Sequence, residues 1–402
     1  MTMTTDNSNK ILNAPALRFP GFSREWELHP TTDYFEFKNG LNPEANRFGR
    51  GTKFISVMDI LNNRYITYDK IISSIEAKKD DLEDFGVNYG DVLFQRSSET
   101  LEDVGRANVY LDNKTALFGG FVIRGKRVGN YDPLFFRYLL SSPSVRKRII
   151  VKGAGAQHFN IGQEGLSKVS LFVPCIDEQK RISAFMNLLD ERIETQSRAI
   201  EKLQSLISGL QESILWQNHK RVSFSEIFIE RNERTSVINQ YEVLSSTAKG
   251  IYRQSDYFDK EVASTNNVGY KVLHKGDIVL SPQNLWLGNI NYNEAFEIGM
   301  VSPSYKVFSI REQFDPVYVA SILKTHRALF EYASASEQGA SVVRRNLNMD
   351  AFMAICIPIP SKEIQDQVAK LFLSLNQKLK NEVQMIERFN KQKAFLLSHM
   401  FI

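Results

Sequence analysis

Five loop clusters in this chain hold residue types that can meet a polyanion. Arg146, Lys147, Arg148 and Lys152 run into the small-residue stretch Gly153-Ala154-Gly155-Ala156, which is followed by Gln157, His158 and Asn160. Backbone amides in such a stretch can approach phosphates closely while the cations neutralise them. Arg96, Ser97 and Ser98 leave a strand that begins at Gly90-Asp91, and Gln283, Asn284 and Trp286 leave its counterpart at Gly276-Asp277. In a major groove, Arg pairs with guanine and Gln or Asn with adenine through two hydrogen bonds. Lys249, Tyr252, Arg253 and Gln254 make a basic-aromatic cluster, and Arg344, Arg345 and Asn346 follow Gly339-Ala340-Ser341. Each cluster also has a plainer reading, as a charged helix end entering a turn or as turn-forming amides.

Motifs for catalysis are missing. The chain has no G-x-x-x-x-G-K-S/T phosphate loop, no H-E-x-x-H, no paired C-x-x-C and no G-x-S-x-G elbow. An Asp- or Asn-Pro-Pro-aromatic tetrapeptide, of the kind that amino-methyltransferases use to hold a base, is also absent. The six histidines are scattered, and no metal site is expected.

The elements that must position these loops are written twice. Asn160-Ile161 is answered by Asn346-Leu347, Val173-Pro174 by Ile359-Pro360 and Gln179 by Gln365, all at an offset of 186 (346 − 160). Gly90-Asp91 pairs with Gly276-Asp277 and Asp132-Pro133 with Asp315-Pro316. A period of this size is a duplicated domain, not a solenoid repeat. Short β-rich runs such as 52–60, 91–95, 117–124 and 169–173 alternate with Gly and Asn turns. An amphipathic helix is expected from Pro133 to about Ile150, with a counterpart from Pro316 to about Tyr332. The fold class expected is mixed α/β (α+β), with loops that vary more between copies than the framework does.

A long helix closes each copy. Ile182, Phe185, Leu189, Ile193, Gln196, Ile200, Leu203, Ile207, Leu210 and Ile214 step by three and four, and the same offset gives Val368, Leu371, Leu375, Leu379, Glu382, Ile386, Phe389, Lys393, Leu396 and Met400. Such a stripe is a coiled-coil seam, and each copy's stripe needs an apolar partner. Gln196 and Glu382 interrupt both seams at one place, either as a register device or as a partly exposed position. The helices start after Pro174 and Pro360, with Asp177 and Ser361 available as caps. The expected divisions are a domain at 1–176, a helix at 177–219, a domain at 220–360 and a helix at 361–402, related by an internal pseudo-twofold.

The 402 residues suit two or three domains, and 43% hydrophobic with 24% charged residues is ordinary for a soluble globular protein. A net charge of +4 permits nucleic-acid binding without requiring it. No apolar run reaches the roughly 18 residues of a membrane helix, and the first ten residues lack the apolar core of a secretory signal. Cys175 and Cys356 do not correspond in the repeat, which suits a reduced, cytoplasmic setting.

Together these residues resemble the specificity subunit of type I restriction-modification systems. The resemblance rests on the opening Leu17-Arg18-Phe19-Pro20-Gly21-Phe22 with Glu25-Trp26-Glu27, on the Gly-Asp strands, and on Val173-Pro174 with Glu178-Gln179-Lys180-Arg181-Ile182 leading into a helix. The second copy departs from this, with Ile364-Gln365-Asp366-Gln367-Val368. The resemblance implies two target-recognition domains that each read half of a split double-stranded DNA site, and two antiparallel helices that set the gap. It implies no catalysis and no cofactor on this chain. S-adenosylmethionine would sit on two modification subunits and ATP with Mg on restriction subunits, and no membrane is involved. The competing expectations are a coiled-coil adaptor that binds protein only and a self-contained DNA methyltransferase or nuclease.

Overall fold

The computed structural model describes residues 2–3, 13–155, 158–257, 266–338 and 345–402. The chain forms two compact units, Met1–Ser197 with Met385–Ile402, and Arg198–Gln384.

The first unit is organised by a four-stranded antiparallel sheet in the order Phe35–Asn39, Val122–Arg127, Val92–Gln95, Ala107–Val109. A second sheet places Phe48–Ile55 between Leu117–Phe118, parallel to it, and Ser74–Ile75. Glu27–Pro30 pairs with Ser170–Val173 just before the long helix Ile176–Leu215. The second unit repeats the framework. Its sheet runs Phe228–Glu230, Lys306–Ile310, Ile278–Leu280, Ile290–Tyr292, and Lys220–Ser223 pairs with Cys356–Ile359 before the helix Lys362–His399.

The repeated signatures do matching structural work. Gly90 and Gly276 both sit at φ +90°, a backbone that residues with a Cβ rarely adopt, which lets the chain turn tightly into the strand. Asp132 and Asp315 each accept a hydrogen bond from a backbone N–H three residues on, Phe135 or Tyr318, at 2.8 Å, and each is followed by Pro at the first helical position. Gln179 and Gln365 close each unit in the same way. Their Oε1 atoms accept from the backbone N–H of Asp132 (3.0 Å) and Asp315 (2.9 Å), and their Nε2 atoms donate to the carbonyls of Pro174 and Pro360.

The helix expected from Pro133 to Ile150 is two, Pro133–Ser141 and Pro143–Ile150. Pro143 pushes Ser142 to an extended ψ of 146°, and the Ser142 hydroxyl then caps the second helix. Its counterpart is likewise split into Pro316–Ile322 and His326–Ser334, with Thr325 as the cap. The run expected as strand through Ile60 ends at Ile55, because Ser56 and Asp59 form a reciprocal cap that starts the helix Val57–Asn62. Asp177 lies inside the first turn of its helix and not before it.

Each unit contains segments of both long helices. In the first, Ile182 and Met186 share one core with Leu396, Met400 and Phe401. Asp190 meets Lys393 at 2.7 Å, and the Arg192 guanidinium lies 5.7 Å from the Phe389 ring centre, so the two segments run antiparallel. In the second, Leu203, Ile207 and Leu210 pack in one core with Val368, Phe372, Leu375 and Leu379. Leu189, Ile193, Ile200, Leu203, Leu375, Leu379, Ile386 and Phe389 are all half-buried, as a two-helix seam leaves them. The stripe does slip where a helix meets its globular core: Leu371 is exposed and its neighbour Phe372 is buried, and Leu215 lies deeper than Ile214. Gln196 is buried and Glu382 half-buried.

Two charged contacts hold the first unit. Arg18 forks onto Glu178 with two bonds of 2.7 Å, both side chains buried. Asp190 takes Arg137 (3.1 Å), the Tyr138 hydroxyl (2.8 Å) and Lys393. Burial alone would raise the Asp190 carboxyl, but Arg137 and then Lys393 hold it below its ordinary value. Its contribution is therefore complete above the unfolded carboxyl value, near about 3.9, and is lost as pH falls through the folded value. Glu178→Ala should destabilise the first unit by about 3–5 kcal/mol in chemical denaturation, since it strands a buried guanidinium. Asp190→Asn should flatten the acid limb of the stability profile that the parent shows below about pH 4.

Candidate nucleic-acid interface

In the first unit the loops singled out by sequence come together in one ledge. Ser97–Ser98 pairs with Phe159–Asn160, and the Ser97 hydroxyl is hydrogen-bonded to the Asn160 side-chain oxygen. Ile161 N–H donates to the Arg96 carbonyl (3.0 Å), and Ala154 bridges Asn160. The Arg96 guanidinium donates to the Gly120 carbonyl at 3.3 Å. His158, Asn160, Lys147 and Lys152 are exposed, and Gln157 lies outside the described residues.

Arg146 is placed differently. Its guanidinium is half-buried and donates to the Glu102 and Val104 carbonyls at 2.8 and 2.7 Å. Burial, and then the neighbouring Arg106, push it down to about 10. Arg146 thus ties the turn at Leu101–Asp103 to its own helix, a bracing role that the charge run did not reveal.

The second unit assembles two neighbouring pieces. Gln283 accepts on its carbonyl from Arg345 N–H (3.1 Å), and the Arg345 guanidinium stacks 4.7 Å from the Trp286 ring centre and donates to the Ala333 carbonyl. Asn346 is exposed on the strand Arg345–Leu347, which pairs with Ser336–Gln338. Arg344 lies outside the described residues. Lys249, Tyr252 and Arg253 are exposed on the hairpin Leu244–Thr247/Gly250–Arg253, with Arg253 paired to Glu242 at 2.9 Å and Gln254 bonded to the Ser245 hydroxyl.

A buried amide network, invisible as a motif, fixes that hairpin to the core. Ser246 bonds Asn289 (2.7 Å) and Asn291 (2.8 Å) through its hydroxyl, and its carbonyl accepts from Asn289 and the Tyr305 hydroxyl. Lys324 donates to Asn291 Oδ1 (2.6 Å) and to the Ala248 carbonyl (3.1 Å), and burial lowers its ammonium. The only sequence signal was the alternation of Asn289, Asn291 and Asn293 along one strand, which puts all three on one face. Asn284 sits at the turn beneath Trp286, where its carbonyl accepts from Leu287 and Asn289 N–H groups.

Chemically, each unit presents hydroxyls, amides and cations on a braced loop cluster, a set that suits hydrogen bonding to base edges and phosphates. Among the described residues no group of three or more His, Cys, Asp or Glu could hold a metal ion, and no helix is long and apolar enough to cross a membrane.

The chain resembles known proteins in sequence and in fold. Residues 23–205 match the family model of the type I restriction modification DNA specificity domain. A curated relative from Methanocaldococcus jannaschii, "Putative type I restriction enzyme MjaX specificity subunit", is 23% identical over 93% of this chain and 92% of its own length. Among solved structures, the type I restriction-modification S subunit from M. genitalium matches with a TM-score of 0.56 at 17% identity, covering 97% of this chain and 99% of that one. A chain from a structure on complex assembly and conformational transition of the type I R-M system matches at 0.55 and 14% identity, covering 95% and 98%.

Asn291→Ala leaves the Lys324 ammonium without its side-chain acceptor and the Ser246 hydroxyl without a donor. A loss of about 2–4 kcal/mol is expected by denaturation, with faster amide exchange confined to 244–253.

Proposed function

We propose that this chain is the specificity subunit of a type I restriction-modification system and chooses the DNA site of its complex by reading two half-sites, one with each unit; the match of residues 23–205 to the specificity-domain model and the likeness to a curated specificity subunit support this reading. The observation that carries this reading is the duplication itself. The same buried clamp at Gln179 and Gln365 supports two loop clusters of different chemistry, as expected of one scaffold reading two different sequences.

In the first unit the reading groups are Arg96, Ser97, Ser98, Gln157, His158 and Asn160, with Lys147 and Lys152 on phosphates and Arg146 bracing the turn behind them. In the second, Gln283, Asn284, Trp286, Arg345 and Asn346 meet bases, and Lys249, Tyr252, Arg253 and Gln254 add contacts from the hairpin; Arg344 is assigned to the same task by its residue type. Base edges give sequence choice, and phosphate contacts give affinity and register. The paired helices set the gap between half-sites and dock two modification subunits, which carry S-adenosylmethionine for adenine methylation. Restriction subunits using ATP and Mg complete the assembly, and this chain supplies recognition only.

Methylome sequencing of cells that carry the modification subunits with and without this chain tests the reading. A split motif should appear with the chain and vanish without it. Lengthening both helices by whole turns should widen the gap and leave each half unchanged, and altered halves with an unchanged gap would refute the spacer role. Lys152→Ala and Lys249→Ala should each reduce the slope of log affinity against log salt by about 0.9, while Asn160→Ala should relax one position of one half.

A further inference from the structure

One aromatic ring stands out of the first unit beside the residues just assigned to base reading. Phe121 is 70% exposed, at the tip between Leu117–Phe118 and Val122–Arg127. Its carbonyl accepts from Arg96 N–H at 2.9 Å, and the Arg96 carbonyl accepts from Ile161 N–H at 3.0 Å. Phe121, Arg96 and Ile161 therefore lie edge to edge, with Ser97 and Asn160 next along the same two segments.

The tip that carries this ring has one shape. Gly119 N–H donates to Ile55 (3.0 Å), Leu41 N–H to Phe118 (3.0 Å), Val122 N–H to Gly119 (2.8 Å) and Gly40 N–H to Val122 (3.1 Å). A Cβ at Gly120 would collide with the Asn42 side chain, and one at Gly119 would press on the Phe54 ring at 3.0 Å. Holding a large apolar group in water on a fixed backbone gains nothing for the fold. It does present that group to a partner with little ordering left to lose on binding.

The second unit lacks the feature. Strand pairing aligns Val92 opposite Gly125 in the first unit and Ile278 opposite Phe308 in the second, so counting back four residues places Ser304 where Phe121 stands. The partner of Arg96 in that alignment is Pro282, which has no N–H to give. The ring is thus a property of one reading surface and not of the shared framework.

Resting on the reading of the chain as a DNA specificity subunit, we propose that Phe121 is a specificity-determining residue whose ring contacts the C5-methyl of a thymine in the major groove, next to the base pair met by Arg96, Ser97 and Asn160. Thymine alone among the bases presents a methyl group there, and Phe is one of the side chains that meets it. The hydroxyl, amide and guanidinium neighbours are those that pair with major-groove edges. Apolar wedges that unstack bases work from the minor groove.

The test uses the full complex with its modification subunits and duplexes of its own methylation motif, with each thymidine in turn replaced by deoxyuridine, which removes only the methyl. Parent complex should lose roughly three- to tenfold in affinity at one thymidine of one half-site. Phe121→Ala should lose a similar factor on the normal duplex, be indifferent to that one replacement, and keep the parent's melting temperature. No thymidine replacement that the parent senses, or a Phe121→Ala complex that still senses it, would overturn the assignment. So would a Phe121→Ala loss that is equal on every duplex, which would mark the ring as a general contact. Failure of the parent to bind or methylate any split motif would instead refute the specificity-subunit reading.

Discussion

In both units a glutamine amide ties the start of a long helix to a helix cap 47 or 50 residues earlier in the chain. Gln179 and Gln365 each accept from the N–H of the Asp that caps a short helix and donate to the carbonyl of the Pro that precedes a long one. An amide suits this task because it offers a donor and an acceptor in one rigid plane, and both glutamine side chains are buried. The Asp carboxylate meanwhile satisfies the helix N–H three residues on, so backbone groups at two element ends are paired at once. The loops that would touch DNA hang from the sheets that these short helices cover.

Reading the framework from sequence worked because buried backbone groups must be paired, which forces particular residue types to recur. Gly90 and Gly276 recur because only glycine readily holds their φ, and the Asp-Pro pairs because they start helices. Interruptions were harder to see. Pro143 and Thr325 each end a run whose apolar period continues, since burial on one core preserves the pattern through a break. At the coiled-coil seam the three-four step predicts Leu371 where Phe372 is buried, because a helix lying on a globular core needs a wider apolar face than a two-helix seam. Glu178 belongs to the run Glu178-Gln179-Lys180-Arg181-Ile182, yet its partner Arg18 lies 160 residues away, beyond any local pattern.

The candidate site was legible as a set of loops and not as a set of contacts. Residue type could show that Arg146 is cationic, but not that two carbonyls already occupy its guanidinium. The brace under the second unit's hairpin is built from Ser246, Asn289, Asn291, Tyr305 and Lys324, which meet only once the sheet has formed. A lysine with a lowered ammonium among amides could be mistaken for a reactive group. Its two acceptors, Asn291 Oδ1 and the Ala248 carbonyl, instead explain it as a strut that holds the hairpin which carries Lys249.

The two units solve one problem with different materials. The first fixes its ledge by close packing at three glycines, Gly40 against the Gly119 backbone, Gly119 against the Phe54 ring and Gly120 against the Asn42 side chain. The second fixes its hairpin by a side-chain network, which tolerates a longer loop but needs every partner present. A backbone-packed tip can change its outward residue freely, because that side chain takes no part in holding the shape. A network-braced hairpin constrains inward residues and leaves Tyr252 and Arg253 exposed. Outward positions of either unit can therefore change without disturbing the glutamine clamps on which both depend.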